Sequence, residues 1–293
     1  MDEKVCALCK RKKELRQSHI IPKFVVRWLK ETSTTGYIRQ GIKPNMRQQD
    51  LFKKPLLCGD CEEKFSNIEK KFCENIFISF QNGKKEFIYD KWLIDFIISL
   101  SWRVAFTEIE ELGGQYLPNL CAMQKAIETW RRYLNDESSN RGKYKHHIFF
   151  LDILESASEG VEIVEKTNWY FLRSIDATIA YSKINEFVYT KLPGIIFVSY
   201  VIPFNENGWR NTRVENKGRL KIPQACGATG FGEFLNDRIK LTNKLAGNIS
   251  ERQKEKIGKD FMKNFEGRID SKSIQVLMAD LELKRIIEGG EGS

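Results

Sequence analysis

A chain of 293 residues with 41% apolar and 30% charged side chains can bury a sizeable core, and its composition excludes a disordered or low-complexity protein. Its most apolar runs, Trp92 to Trp102 and Ile195 to Phe204, fall short of the roughly 20 residues that span a bilayer. No secretory signal precedes the first cysteine pair, so a cytoplasmic protein with no membrane partner is expected. The 48 Lys and Arg against 39 Asp and Glu leave a net charge of +9, which favours an anionic partner.

Residues 1–74 hold 17 basic and 10 acidic side chains, so this quarter of the chain carries +7 of the +9. It opens with Cys6-Ala7-Leu8-Cys9 and the basic run Lys10-Arg11-Lys12-Lys13. Leu15 to Ile21 reads as a short strand ending at Pro22, Phe24 to Leu29 as a helical turn, and Thr32 to Gln49, which has no clear period, as a long loop. A second pair, Cys58-Gly59-Asp60-Cys61, runs into a helix marked by Phe65, Ile68, Phe72 and Ile76 at three- and four-residue intervals.

Asp90 to Leu112 is apolar on nearly every side and predicts a buried helix, with another over Asn119 to Leu134. From Lys145 to Ile222 the pattern turns to β. Ile175, Ala177, Ile179 and Tyr181 alternate with other residues, Phe187 to Leu192 and Ile195 to Val201 follow after short turns, and Leu220 to Ile222 comes after an Asn-Lys-Gly turn. Such short connections imply an antiparallel sheet. Helices return at Gly232 to Leu245, at Ser250 to Phe265 behind a Ser250/Gln253 capping box, and at Ser271 to Ile287. The expected fold class is α+β: a small zinc-binding module over 1–85, followed by a larger domain over 86–293 that combines an antiparallel sheet with several helices.

Two Cys-x-x-Cys pairs chelate one ion through two tight turns and complete the tetrahedral thiolate shell of a structural Zn²⁺, which assigns Cys6, Cys9, Cys58 and Cys61 as ligands. Cys73, Cys121 and Cys226 have no partner at ligand spacing. His146 and His147 are neighbours on a strand, point to opposite faces and do not form a shared metal site. The run Gly227-Ala-Thr-Gly-Phe-Gly232 opens a helix but lacks the Lys-Ser/Thr and the preceding βαβ unit of a phosphate loop. The basic residues Lys10, Arg11, Lys12, Lys13 and Arg16 are candidate phosphate contacts, a solvated basic turn being the other reading of that run.

Between the two cysteine pairs lies Ser18-His19-Ile20-Ile21-Pro22. The succession Cys6-x-x-Cys9, Ser18-His19-Ile-Ile-Pro, then Leu57-Cys58-x-x-Cys61-Glu62 resembles the HNH (ββα-metal, treble-clef) nucleases, in the variety with a zinc knuckle on each side of the active-site hairpin. It is also similar to a group of uncharacterised bacterial proteins with the same Ser-His-Ile-Ile-Pro and Cys-x-x-Cys-Glu motifs. The resemblance covers residues 5–75. It implies that His19 is the general base that deprotonates water, and that a second divalent ion such as Mg²⁺ or Mn²⁺ neutralises the leaving oxygen. The family places an acid where Ser18 stands and a histidine or asparagine where Glu62 stands, so Glu62, with Glu63 or Asp60, is the expected oxygen donor.

The resulting expectation is a metal-dependent nuclease acting on DNA or RNA, with residues 86–293 recognising substrate, trigger or a protein partner. The resemblance extends this to bacterial defence against phage or mobile elements. The alternatives are a catalytically inactive zinc module that binds nucleic acid or protein through its basic surface, and a structural subunit of a larger complex.

Overall fold

In a computed structural model, residues 4–156, 162–182, 184–202, 206–227 and 230–290 are described. The first module is built from short strands. β1 (Lys4–Val5) and β2 (Lys12–Lys13) pair antiparallel around the first cysteine turn, and β3 (Leu15–His19) is followed by helix α1 (Lys23–Glu31). Next comes a hairpin of β4 (Ile38–Gln40) and β5 (Lys43–Gln48). It occupies the stretch expected to be a loop. β4 is half-buried and β5 mostly exposed, so neither leaves an alternating pattern, and what fixes the hairpin is distant: Tyr37 donates to Asp260, and Thr34 is hydrogen-bonded to Ser271 and Ser273.

β6 (Lys53–Cys58) then returns antiparallel to β3 and leads directly into α2 (Gly59–Phe72), which continues through a π-helical turn at Cys73–Phe77 into α3 (Ile78–Gln81). A bulge opposite Arg16 and Gln17 interrupts the β3–β6 ladder. There the buried Ser18 hydroxyl accepts the Leu57 amide at 3.1 Å. A serine at this position satisfies a backbone donor that the bulge removes from the ladder.

The second part is α+β, as the sequence predicts. β7 (Glu86–Tyr89) leads into α4 (Lys91–Leu112) and α5 (Leu120–Leu134), followed by β8 (Lys145–Phe150), α6 (Thr167–Arg173), β9 (Asp176–Tyr181), β10 (Glu186–Leu192), β11 (Ile195–Tyr200) and β12 (Gly218–Lys221). Helices α7 (Phe231–Gly247), α8 (Glu251–Phe265) and α9 (Lys272–Gly290) close the chain. The main sheet has the order β8-β11-β10-β9 with every pair antiparallel, while β12 pairs with β7 across 130 residues of sequence.

The sheet is covered on both faces, which explains why every residue of β10 is buried rather than alternate ones. Ile148, Ile179, Val188 and Phe197 face α4, and Phe149, Phe187, Tyr189 and Tyr200 face Phe231 and Phe234 of α7. His146 and His147 lie on opposite faces as expected, hydrogen-bonded through Nδ1 to Ser199 at 2.7 Å and to Thr212 at 3.0 Å. The Ser250/Gln253 capping box does not form. Ser250 makes no side-chain cap bond, and the Gln253 carbonyl oxygen accepts from Arg39 of the hairpin at 3.3 Å. Of the glycine run 227–232, residues 228 and 229 lie outside the described residues; Gly230, at φ +84°, begins α7.

Helix α4 ends at Gly113, whose φ of +78° is the left-handed conformation that a side chain would strain. It is the centre of the molecule, buried almost all round. Phe72 of α2 stacks on Phe96 of α4 with ring centroids 4.0 Å apart, and both contact Phe197 of β11. One apolar core thus runs across residue 85, from Cys6 and Phe65 to Trp102, Trp130 and Leu220. Among the described residues no helix is long and apolar enough to cross a membrane.

Candidate functional site

Each cysteine pair sits where the backbone turns. In the first turn the Cys6 amide donates to the Arg11 carbonyl and the Lys10 amide to the Cys6 carbonyl, with Lys10 held at φ +59°. The second pair straddles the start of α2, and the Cys58 amide donates to the Cys6 sulfur at 3.3 Å. The two turns bring the four Sγ atoms within 4.8 Å of one another. A tetrahedral thiolate shell with metal–sulfur bonds of about 2.3 Å puts its sulfurs about 3.8 Å apart. The Cys9 and Cys58 sulfurs are separated by 3.8 Å.

These four cysteines therefore form a preorganised cluster able to hold a metal ion. The hydrogen bond from Cys61, helped by the Cys58, Cys9 and Leu8 amides and opposed by burial, lowers the Cys6 thiol to about 4, while the same contact raises that of Cys61. Cys73, Cys121 and Cys226 lie outside the cluster. No other group of three or more potential ligands is found among the described residues.

His19 closes β3 at the far end of the β3–β6 pair, opposite Lys53. Its ring is 19% exposed, and Nε2 lies 2.8 Å from Asp50 Oδ2. Nδ1 makes no hydrogen bond among the described residues. Asp50 also accepts the Leu51 amide at 2.9 Å, and Lys53 Nζ approaches it at 3.4 Å. Burial opposes ionisation of Asp50. The hydrogen bond and charge of His19, with the Leu51 amide and Lys53, nevertheless hold the carboxyl below its usual range. The loop bearing Asp50 is fixed from α1, where Lys30 donates to the Gln49 side chain at 2.9 Å.

The backbone of His19 is held as firmly as its ring. Arg103 of α4, 3% exposed, donates through one terminal nitrogen to the His19 carbonyl at 2.9 Å and to Glu69 of α2 at 2.6 Å. Its guanidinium also lies over the Phe65 ring. Helix geometry explains why Glu69 reaches this place and Glu62 does not. From Lys53 to Cys58 the strand advances about 17 Å at roughly 3.3 Å per residue. A helix that packs back along it at 1.5 Å per residue needs about eleven residues to return. Glu69 is ten residues past Gly59.

Glu62 is only three residues past Gly59, beside the cysteine cluster, and makes no hydrogen bond or ion pair among the described residues. Glu63 is exposed, and Asp60 is tied to Lys13 at 2.5 Å. The carboxylate bonded to His19 is that of Asp50. Ser18 is buried, with its hydroxyl on the Leu57 amide.

Of the expected phosphate contacts, Lys10, Arg11, Lys12 and Arg16 are exposed, whereas Lys13 is half-buried and neutralised by Asp60. The Lys10 ammonium lies 5.8 Å from the centre of the Phe106 ring. Asp50, Lys53, Glu69 and Arg103 are the residues that reading the sequence missed. Their only local signal is an Asp three residues before a lysine in a polar stretch, and a lone arginine in an apolar helix. The chain matches no family model, no curated protein and no solved structure.

Proposed function

We propose that the protein is a nucleic-acid phosphodiesterase whose N-terminal module is stapled by one structural zinc ion on Cys6, Cys9, Cys58 and Cys61, with His19 as general base. Zinc is favoured over Mg²⁺ or Ca²⁺ because four soft thiolates in a closed tetrahedral set suit it. The observation that carries the catalytic reading is the partly exposed imidazole, anchored through Nε2 on a carboxylate and through its own carbonyl on Arg103, with Nδ1 left available.

In that arrangement Asp50 fixes the tautomer with the proton on Nε2, and Nδ1 takes a proton from a water attacking phosphorus. The P–O bond to the leaving nucleotide then breaks, and its oxygen collects a proton from solvent. Lys53 beside the pair, with Lys10, Arg11, Lys12 and Arg16, supplies the positive charge that receives the phosphate backbone. A second divalent ion fits this site poorly, since among the described residues Asp50 is the one carboxylate hydrogen-bonded to His19.

A second reading, a nucleic-acid binding module without catalysis, is favoured by the same scarcity of carboxylates around His19 and by the exposed basic turn. Incubating the purified protein with plasmid, linear DNA and RNA, in EDTA and with Mg²⁺, Mn²⁺ or Ni²⁺, separates the two. Cleavage abolished by His19→Ala supports the hydrolase. Binding without cleavage under every condition supports the module.

A further inference from the structure

Arg173, at the end of α6, is 7% exposed and has no carboxylate partner among the described residues. Its terminal nitrogens donate to the Leu29 carbonyl at 2.9 Å and to Thr32 Oγ1 at 2.7 Å, capping the carbonyl end of α1. That cap accounts for two of the three guanidinium nitrogens. Nε is buried with no hydrogen-bond partner. A desolvated cation with an unused donor and no counter-ion is costly for a fold to retain, and an anion relieves that cost.

Arg173 lines a half-open cavity of about 490 Å³ between α1, the turn after α3, the end of β8 and α9. This size falls within the roughly 300–1,000 Å³ of small-molecule sites. Lys84, Lys85 and Lys272 also line it, none with an ion-pair partner among the described residues, against a single acid, Asp152. The apolar wall is aromatic: Trp28, which the Arg173 guanidinium overlies at 5.2 Å, and the Phe80–Phe150 pair with centroids 4.9 Å apart.

We propose that this cavity binds a nucleoside phosphate, with the phosphate on Arg173 and the lysines and the base against the aromatic wall. A planar ring on aromatic side chains beside clustered cations is the chemistry by which nucleotides are held. Burial lowers the Arg173 guanidinium to about 10, in keeping with a site that gains from an arriving anion. The ligand is either a free nucleotide or the phosphorylated end of an oligonucleotide. The site is separate from His19, and its test does not depend on hydrolysis.

Full-length protein carrying His19→Ala is titrated calorimetrically at low salt with AMP, ATP, inorganic phosphate and a 5′-phosphorylated single-stranded oligonucleotide. One AMP or ATP per chain is expected to bind with a micromolar dissociation constant and to quench tryptophan fluorescence, the quenching being lost in Trp28→Phe. Because Arg173 caps α1, its replacement risks unfolding, so the exposed lysines carry the test. Lys84→Glu with Lys272→Glu should weaken binding at least tenfold without changing the thermal midpoint. Competition of the oligonucleotide with AMP would assign the source to a nucleic-acid end, and absence of competition to a free nucleotide. The proposal is overturned if neither AMP nor ATP saturates below millimolar concentration, if the double lysine variant binds as tightly as its parent, or if inorganic phosphate binds as well as AMP.

Discussion

Glu69→Gln tests whether the strut behind His19 holds the module together. Arg103 is 3% exposed and its partner 18%, so the substitution leaves a nearly dry guanidinium facing an uncharged amide. Breaking a buried pair on one side costs about 3–5 kcal/mol. Water that reaches the partly open Glu69 side places this case at the low end, about 3 kcal/mol. Arg103→Met leaves the His19 carbonyl without its donor, which costs about 1–3 kcal/mol, and also strands the Glu69 carboxylate. The double variant has no stranded charge and should be less destabilised than the sum of the two, with a coupling energy of about 2 kcal/mol. Guanidinium unfolding of the four proteins reads these values directly. Glu69→Gln costing under about 1 kcal/mol, or strict additivity, would refute the view that the contact is a desolvated ion pair.

Four other outcomes are expected. Freshly purified protein should contain one zinc per chain, and Cys6→Ser or Cys61→Ser should lose both metal and stability, as read by elemental analysis and thermal melting. If the protein cleaves nucleic acid, Asp50→Asn should reduce the rate 10²-fold or more, in keeping with the usual scale of positioned acid–base catalysis, while leaving zinc content unchanged. Replacing Lys10, Arg11, Lys12 and Arg16 by Ala should weaken nucleic-acid binding and flatten its dependence on salt, whereas Lys13→Ala, already neutralised by Asp60, should change little in a filter-binding assay. The fourth concerns acid. Burial lowers His146 to about 3 and His147 to about 4, so an unfolded chain binds more protons than the native one below about pH 6.5. Stability is then complete above that pH and falls by several kcal/mol as the pH drops toward 3, a loss that His146→Gln should lessen in acid titrations followed by circular dichroism.

What the sequence revealed was whatever a short window encodes. The apolar run from Trp92 to Phe106 announced a buried helix, the close succession of strands after Ile175 announced an antiparallel sheet, and the cysteine spacing announced a cluster. Contacts between distant residues left no such trace. The β4–β5 hairpin depends on Asp260 and Ser273, and β7 waits for β12. Lys191 in the fully buried β10 finds its acceptors in Ser174, at 2.7 Å and 3.2 Å. The candidate site divides in the same way. His19 was legible from its motif, but Asp50, thirty-one residues on, became its partner through the return of the chain along β6. Ser18 read as a missing ligand because its task, bonding an amide released by a bulge, exists only once β3 and β6 are paired.

Because the core is continuous across residue 85, a metal held by the four cysteines would share a single equilibrium with global stability. Phe65 is covered by Trp102 of α4, and Phe72 by Phe96 of α4 and Phe197 of β11, so a fragment ending near residue 85 would expose both to water. Zinc that binds only the native state adds free energy to the entire chain through mass action, about 4 kcal/mol when free metal stands a thousandfold above its dissociation constant. Chelation should accordingly lower one cooperative melting transition of the whole molecule rather than release the first module alone.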